Sequence, residues 1–564
     1  MKKRWTLESY NSSVAQHLQE VLNINPIFCQ ILAQRGISTY DEAHHFFRPS
    51  LNHLHNPFLM KDMDLAVNRL ASAIQSKEKI LLYGDYDVDG TTSVALMFSF
   101  LKKYHDHLDF YIPDRYAEGY GVSLKGVDYA AQNEITLIIA MDCGIKANDK
   151  VTYAKEKGID FIICDHHRPG DEIPKAKAVL DPKRDDCDYP FKELCGCGVG
   201  FKLIQALASQ KGETIDDLVL HLDLVATAIG ADIVPIIGEN RILAYHGLKV
   251  INQNPRPGFK AVIEQVKKET LTITDVVFII APRINAAGRM KHGNHAVTLL
   301  CETDPDLAAQ YANEIDTYNT DRRDTDKRIT FEALDQIEEH KEQEGFTTVV
   351  YDENWHKGVI GIVASRLIET YYRPTLVFTK SGSVLAASAR SVKGFDVYNA
   401  LEQCSEFIEQ FGGHKYAAGL TLKPENYKNF KAKFEEIVSN TIDPKLLIPK
   451  IKIDAQINLS DITPKFYRIL SQFAPFGPNN MTPVFMTEDM QDTGYGKQVG
   501  EDKSHLRFTA TQNGKGKIVG IGFGMGDQIE FIKNKKPFKA AYTIDENEWN
   551  GNKNLQLKLK DLKA

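Results

Sequence analysis

The chain has 564 residues, 43% of them hydrophobic and 25% charged, with a formal net charge of −7. This is the balance of a globular protein long enough for three or four domains. Its eight cysteines are too few for a disulfide scaffold, no apolar run approaches the ~18 residues of a membrane span, and the basic start MKKRWTLESYNSS has no apolar core behind it, so the cytoplasm is the expected compartment. The acidic balance argues against a general polyanion binder, yet it leaves room for a local basic groove. Metal-binding aspartates also lower the formal charge without making an occupied site negative.

Residues 1–55 read as a helical lead-in. From residue 79 apolar runs alternate with helix-like stretches: runs at 80–83, 108–112, 135–141 and 159–164, and helical patterns at 93–101 and 148–157. That alternation predicts a parallel sheet with crossover helices. The first run leads into GDYDVDG, where Asp85, Asp87 and Asp89 stand at alternate positions before Gly90. Like charges this close repel unless something positive sits among them. The spacing opens like an EF-hand, but loop position twelve is Leu96 instead of a glutamate, and a strand precedes it instead of a helix.

The same pattern recurs downstream. ITLIIAMD ends on Asp142, IDFIICDHH on Asp165, His166 and His167, and VATAIGAD on Asp232. In a parallel sheet the carboxyl ends of the strands share one edge, where ligands bind, so these groups are expected to converge. A lone acid at a strand end is commonly a turn or cap residue; four coincident ones are not accounted for that way. Carboxylates with one or two histidines suit Mn2+ or Mg2+ better than structural zinc, and an excess of carboxylates suits a two-metal site. Cys187, Cys195 and Cys197 lack paired zinc-ligand spacing.

Residues 304–343 carry Leu307, Tyr311, Ile315 and Tyr318 at helical spacing and then DRRDTDKR, with neither Gly nor Pro between; a long linking helix is expected. A second α/β segment spans 347–422. From residue 449 the pattern is short strands ending in LQLKLKDL, a small β-barrel. Between residues 533 and 563 eight lysines face four acids, and Tyr542 and Trp549 are candidates for stacking on bases or for the barrel core. The expected divisions are 1–55, a catalytic α/β domain at 56–300, a connecting helix at 301–345, a second α/β domain at 346–440 and a barrel at 449–564.

GDYDVDG, MDCGI, CDHHRPG and GADIVP together resemble the four motifs of the DHH phosphoesterase superfamily. PDRYAEGYG (113–121), PRINAAGRM (282–290), SARSVKGFDVYNAL (388–401) and FGGHKYAAGL (411–420) resemble, within it, the RecJ family of single-strand-specific 5′→3′ DNA exonucleases. The resemblance runs from about residue 20 to the C-terminus and implies an α/β multidomain fold. A DHH domain with a parallel sheet would be followed by a long connecting helix, a DHH-associated domain and an OB-fold. It implies two Mn2+ or Mg2+ ions held by Asp87, Asp89, Asp142, His166 and Asp232, with Asp223 as the alternative fourth-motif acid. His167 would assist at the scissile phosphate, with Asp165 and Asp85 as further catalytic acids. Arg115, Ser388 and Arg390 match positions that hold a 5′ phosphate, since the arginine fork binds phosphate oxygens bidentately. Arg283 and Arg289 would contact the backbone, and Gly412, Gly413 and His414 would wall the substrate pocket.

Two departures are visible: Tyr83 stands where many DHH proteins carry a histidine, and PFGPNNMTPVF (475–485) lacks a second glycine. The implied function is hydrolysis of single-stranded DNA from the 5′ end by a two-metal mechanism. It would release nucleoside 5′-monophosphates, in recombination and repair, in a cleft between the two α/β domains too narrow for duplex. A single-strand-binding protein and a RecQ-type helicase are the implied partners. The rival readings are a superfamily hydrolase of short oligonucleotides, cyclic dinucleotides or pyrophosphate, and a non-catalytic scaffold.

Overall fold

The computed structural model describes residues 3–266, 268–534, 536–549 and 551–564, without the side chains of Trp549 and Asn552. The stacking expectation for Trp549 lies outside the described residues, as does Lys535 of the lysine-rich tail. The chain divides into two compact units, one built of residues 5–281, 300–308 and 450–564, the other mainly of 282–299 and 309–449.

In the first unit the apolar runs form strands β1 (Ile80–Gly84), β2 (Leu108–Tyr111), β3 (Leu137–Met141), β4 (Asp160–Cys164) and β5 (Ala178–Leu180). They pair in the order β2-β1-β3-β4-β5, every pairing parallel. Each residue of β1 and β3 is buried, which is why they read as unbroken apolar runs: helices cover both faces of a parallel sheet. Helix α1 (Val88–Leu101) follows β1 at once, its N-terminus capped by Asp87, which accepts from the Gly90 N–H at 3.0 Å. Further on come α2 (Gly196–Gln210) and α3 (Leu222–Ala231).

The run ending at Asp232 is therefore not a strand. LDLVATAIGA forms α3, nine of whose ten residues are buried. A helix buried all round loses its amphipathic stripe, so periodicity cannot distinguish it from a buried strand. Asp232 sits at the C-terminal cap of this helix, not at a strand end.

The second unit holds a five-stranded mixed sheet of β6 (Thr348–Tyr351), β7 (Thr375–Ser381), β8 (Val384–Arg390), β9 (Gln410–His414) and β10 (Ala417–Leu422), in the order β9-β10-β8-β7-β6. The expected long helix spans Pro305–Glu339, 35 residues or about 52 Å at 1.5 Å per residue. Its Ile329, Ala333 and Ile337, four residues apart, pack on the sheet with Val350, Trp355 and Val377. Of the residues that announced the helix, Ile315 is buried, whereas Leu307 is 44% exposed.

Back in the first unit, β11 (Phe485–Asp492), β12 (His505–Gln512), β13 (Lys515–Gly522), β14 (Phe538–Trp549) and β15 (Asn552–Lys563) close a five-stranded barrel through a β11–β12 pairing, the topology class of OB-folds. Tyr542 belongs to its core: it is fully buried, and its hydroxyl lies 2.5 Å from that of Thr487. The exposed aromatic residues of the barrel region include Tyr495 and Phe523 instead. The N-terminal helices (Ser12–Leu22, Pro26–Gln34 and Tyr40–Phe47) share one apolar core with the barrel. Phe28 lies between Phe466 (4.5 Å) and Phe473 (5.7 Å).

Phe28→Ala removes the ring that joins these segments. It is expected to destabilise the barrel by about 3–5 kcal/mol, read as a shift in the urea midpoint followed by barrel tryptophan or tyrosine signals.

Candidate metal centre and active site

Three carboxylates surround one imidazole nitrogen. His166 Nε2 lies 3.2 Å from Asp142 Oδ1, 3.6 Å from Asp232 Oδ2 and 3.8 Å from Asp89 Oδ2. Two overlapping groups could each hold a cation, Asp142–His166–His167 and Asp89–His166–Asp232, with the ligand atoms in each within 4.8 Å of one another. Asp87 is half-buried at the start of α1, and its charge raises the proton affinity of Asp85, Asp89, Asp142 and Asp232.

The backbone fixes these groups. Asp89 accepts from the N–H groups of Gly196 (2.7 Å) and Cys197 (2.8 Å), the first turn of α2, where a helix end favours negative charge. A Cβ on Gly196 would come within 2.5 Å of Asp142 Cβ and Oδ1, so only glycine lets α2 approach this closely. Gly90 is required for the same reason, since a Cβ there would lie 2.4 Å from the Asp85 carbonyl oxygen. Asp142 has a left-handed backbone, φ 59°, and so does Ile233 after Asp232, φ 61°. Non-glycine residues in this region store strain, and such strain clusters at active sites.

Asp165 orients the histidine pair. Its Oδ1 accepts from the His166 N–H (2.7 Å) and the His167 N–H (3.1 Å) and lies 2.7 Å from His167 Nδ1; its Oδ2 accepts from the Ile145 N–H at 2.9 Å. His167 Nε2 lies 3.0 Å from the Tyr120 hydroxyl. Asp85 accepts from the Gly121 N–H at 3.3 Å.

The electrostatics call for positive charge. Burial and the neighbouring acids push Asp85 and Asp142 well above the usual carboxylate range, Asp89 up to about 6 and Asp232 up to about 8. Burial and the nearby His167 charge pull His166 down to about 3, leaving it neutral. Burial also opposes a charge on His167, but the hydrogen bond and charge of Asp165 outweigh it and raise His167 to about 9. Asp165 drops to about 2, because the His167 hydrogen bond and charge outweigh its burial. Asp85 Oδ2, Asp142 Oδ1 and His166 Nε2 are buried without a hydrogen-bond partner. Orphaned acceptors of carboxylate and imidazole type fit a hard dication such as Mn2+ or Mg2+.

The remaining sequence expectations divide. Asp223 is not at this cluster's centre: Arg256 binds it with two hydrogen bonds, 2.7 and 2.8 Å, within the buried interior. Tyr83 turns its hydroxyl to the Gly121 carbonyl (3.0 Å) and accepts from the Ser123 N–H (3.0 Å), so it packs in the core. Cys187, Cys195 and Cys197 are buried thiols and join no metal-ligating group among the described residues. Arg115 stacks on the Tyr86 ring at 4.1 Å, and its charge lowers the proton affinity of Asp85. In the second unit Arg390 donates to Ser388 Oγ at 2.9 Å, Arg289 donates to the Gly358 carbonyl at 2.8 Å and Arg283 pairs with Asp316 at 2.9 Å. His414 is exposed at the end of β9. Gly413 has φ 143° and no room for a Cβ, whereas Gly412 faces open space. Sequence reasoning gave no role to Tyr120, to the α2 N–H groups or to Arg256. Only the glycines of GCGVG (196–200) signalled a close approach.

A parallel sheet whose carboxyl edge gathers paired acids and a His-His step is the arrangement of a DHH phosphoesterase. Residues 79–229 match the DHH family N-terminal domain, 343–440 the DHHA1 domain and 453–561 the RecJ OB domain. The chain is 36% identical to the single-stranded-DNA-specific exonuclease RecJ of Bacillus subtilis, over 99% of this chain and 71% of that protein. It is 32% identical to the RecJ of Escherichia coli, over 94% and 95%. The crystal structure of RecJ from Thermus thermophilus in complex with Mn2+ superposes with a TM-score of 0.86 at 26% identity, covering 100% of this chain and 79% of that one; a Mg2+ complex from the same organism gives 0.79 at 25%. The chain belongs to the RecJ family of single-stranded-DNA-specific exonucleases. No helix among the described residues is long and apolar enough to cross a membrane.

The charge balance sets two measurable outcomes. Without metal, Asp232 (about 8) and His167 (about 9) bind more protons folded than unfolded between pH 6.5 and 8, so their contribution to stability falls as pH rises through that window. Mn2+ displaces protons from the raised carboxyls, so its affinity rises over the same range; calorimetry and melting curves at pH 6.5, 7.2 and 8 read both trends. Gly196→Ala is expected to abolish high-affinity Mn2+ binding by displacing Asp142, measured by the same calorimetric titration.

Proposed function

We propose that the chain degrades single-stranded DNA from its 5′ end, releasing nucleoside 5′-monophosphates, with two Mn2+ or Mg2+ ions as cofactors. The observation that carries this reading is the convergence of Asp89, Asp142 and Asp232 on His166 Nε2, within 3.2–3.8 Å. Asp87, Asp89, Asp142, His166 and Asp232 are the proposed metal ligands. Ions bound there supply Lewis acidity toward the phosphoryl group and a nucleophilic water at neutral pH.

The chain's own residues do the rest. His167, kept charged by Asp165, donates to a non-bridging oxygen of the scissile phosphate, where negative charge grows in the transition state. Asp85 shapes the first acidic turn, where the Arg115 charge offsets part of the burial and Asp87 charge that raise its proton affinity. Arg115, Ser388 and Arg390 are assigned to the 5′ phosphate, Arg283 and Arg289 to the DNA backbone and His414 to the substrate pocket. The barrel is assigned to the trailing strand, which Tyr495 and Phe523 suit by their exposure of 75% and 57%. Roles in recombination and repair, alongside a single-strand-binding protein and a RecQ-type helicase, belong to the same reading.

A digestion time course tests it. Single strands labelled at either end and a blunt duplex are incubated with Mn2+, with EDTA as control. Mononucleotides leaving the 5′ end of single strands alone, and none with EDTA, are expected. Cleavage confined to dinucleotides would place the activity with the short-substrate hydrolases, and binding without cleavage would make the protein a scaffold. Asp142→Ala should abolish cleavage while single-strand binding persists in a gel-shift assay.

A further inference from the structure

Past β5 the chain makes a tight turn, Asp181-Pro182-Lys183-Arg184, that the nuclease reading leaves without a role. Cys164 pairs with Leu180 in the parallel register, and the Asp165 N–H donates to the Leu180 carbonyl at 2.9 Å. Asp181 therefore stands level with Asp165 at the sheet edge, and Lys183 follows it by the same two steps by which His167 follows Asp165. The turn is rigid. Asp181 Oδ1 accepts from the Lys183 N–H at 2.7 Å, and the Asp181 carbonyl accepts from the Arg184 N–H at 3.3 Å.

The two adjacent cations are treated differently. Arg184 is buried and fully occupied: it donates to Asp186 (2.8 and 2.7 Å), to Asp62 Oδ2 (2.8 Å) and to the Val179 carbonyl (2.7 Å). Lys183 is half-buried, and its ammonium forms no ion pair within 4.0 Å with any acid among the described residues. Its charge nonetheless lowers the proton affinity of Asp181, His166 and Asp232. The parallel register places its turn at the same sheet edge as Asp165 and His167. Asp181 Oδ2, beside it, is buried without a hydrogen-bond partner.

We infer that Lys183 is a catalytic residue that reaches from the turn after β5 into the site and binds a non-bridging oxygen of the scissile phosphate opposite His167. The inference rests on the nuclease reading above. A lysine is a compact point charge on a flexible stem, suited to an anion that changes geometry during the reaction. Its neighbours anchor its backbone without consuming its charge. Acids outnumber cations at this edge, so a second cation in addition to His167 stabilises the negative charge that grows on the phosphate.

The test compares wild type, Lys183→Met and Lys183→Arg on 5′-phosphorylated single strands in Mn2+, with steady-state kinetics, calorimetric titration by Mn2+ alone and melting curves. Lys183→Met is expected to lower kcat by about 10²-fold, the scale of losing one charge-stabilising donor, with Mn2+ affinity no weaker than wild type, since a like charge is removed from beside the metal site, and with the melting temperature held. Lys183→Arg should recover most of the loss. A Lys183→Met enzyme with wild-type kcat would overturn the inference. So would a kcat loss that travels with weaker Mn2+ binding or lower melting temperature, since Lys183 would then serve the metal site or the fold. Wild-type protein that leaves single strands intact would instead overturn the nuclease reading itself.

Discussion

The constraint on which the first unit is built is repulsion among buried carboxylates. Asp89, Asp142 and Asp232 are brought within 3.8 Å of a single neutral imidazole, and burial alone disfavours their charged forms. Such a cluster costs stability unless hydrogen bonds hold it and a cation enters it. The hydrogen bonds are local: the first turn of α2 on Asp89 and the Ile145, His166 and His167 amides on Asp165. A dication would then reverse the sign of the remaining term, because each raised carboxyl becomes a ligand when it loses its proton.

Holding Asp232 at the cluster takes a longer chain of support. It leaves a helix end, where the macrodipole disfavours an anion, through Ile233 in a left-handed conformation. What fixes the following loop lies far along the chain: the Ile236 N–H donates to the Pro478 carbonyl at 2.8 Å, and Gly477 approaches Ile236 so closely that a Cβ would lie 2.4 Å away. Arg241 donates to the carbonyls of Phe46, Phe473, Ala474 and Pro475. The Arg35 guanidinium reaches Asn480, whose amide donates to Phe473 and Pro475. The barrel, the N-terminal helices and the metal-site loop are thus one mechanical body. The PFGPNN segment, which lacks the second glycine of the family's pattern, is the joint, held through Asn480.

Much of this was legible in the sequence where physics leaves a local mark. Parallel strands buried on both faces read as unbroken apolar runs, and acids at their ends were found because the sheet edge is a fixed place. Three features left no such mark. α3 is apolar all round, so Asp232 was expected at a strand end. Asp223 and Asp232 are both acids of one short segment, and only the bidentate Arg256 contact, made 33 residues away, separates the neutralised acid from the open one. Tyr542 stood open between stacking on bases and the barrel core; in a closed barrel one face of every strand is interior, and its hydroxyl finds Thr487 there.

The adjacent histidines show how one backbone step can assign two opposite jobs. His166 points into the acidic cluster, is nearly fully buried and stays neutral, the state a metal ligand would need; His167 shares a proton with Asp165 and stays charged. Each supports the other, because the His167 charge is among the causes that lower His166, and Asp165 bonds to the amides of both. Titratable groups whose environments drive their proton affinities apart mark a division of chemical labour. In the proposed mechanism the division falls between holding the cation and meeting the phosphate, and Asp165 sets it by hydrogen-bonding to the amides of both histidines and to the ring of one.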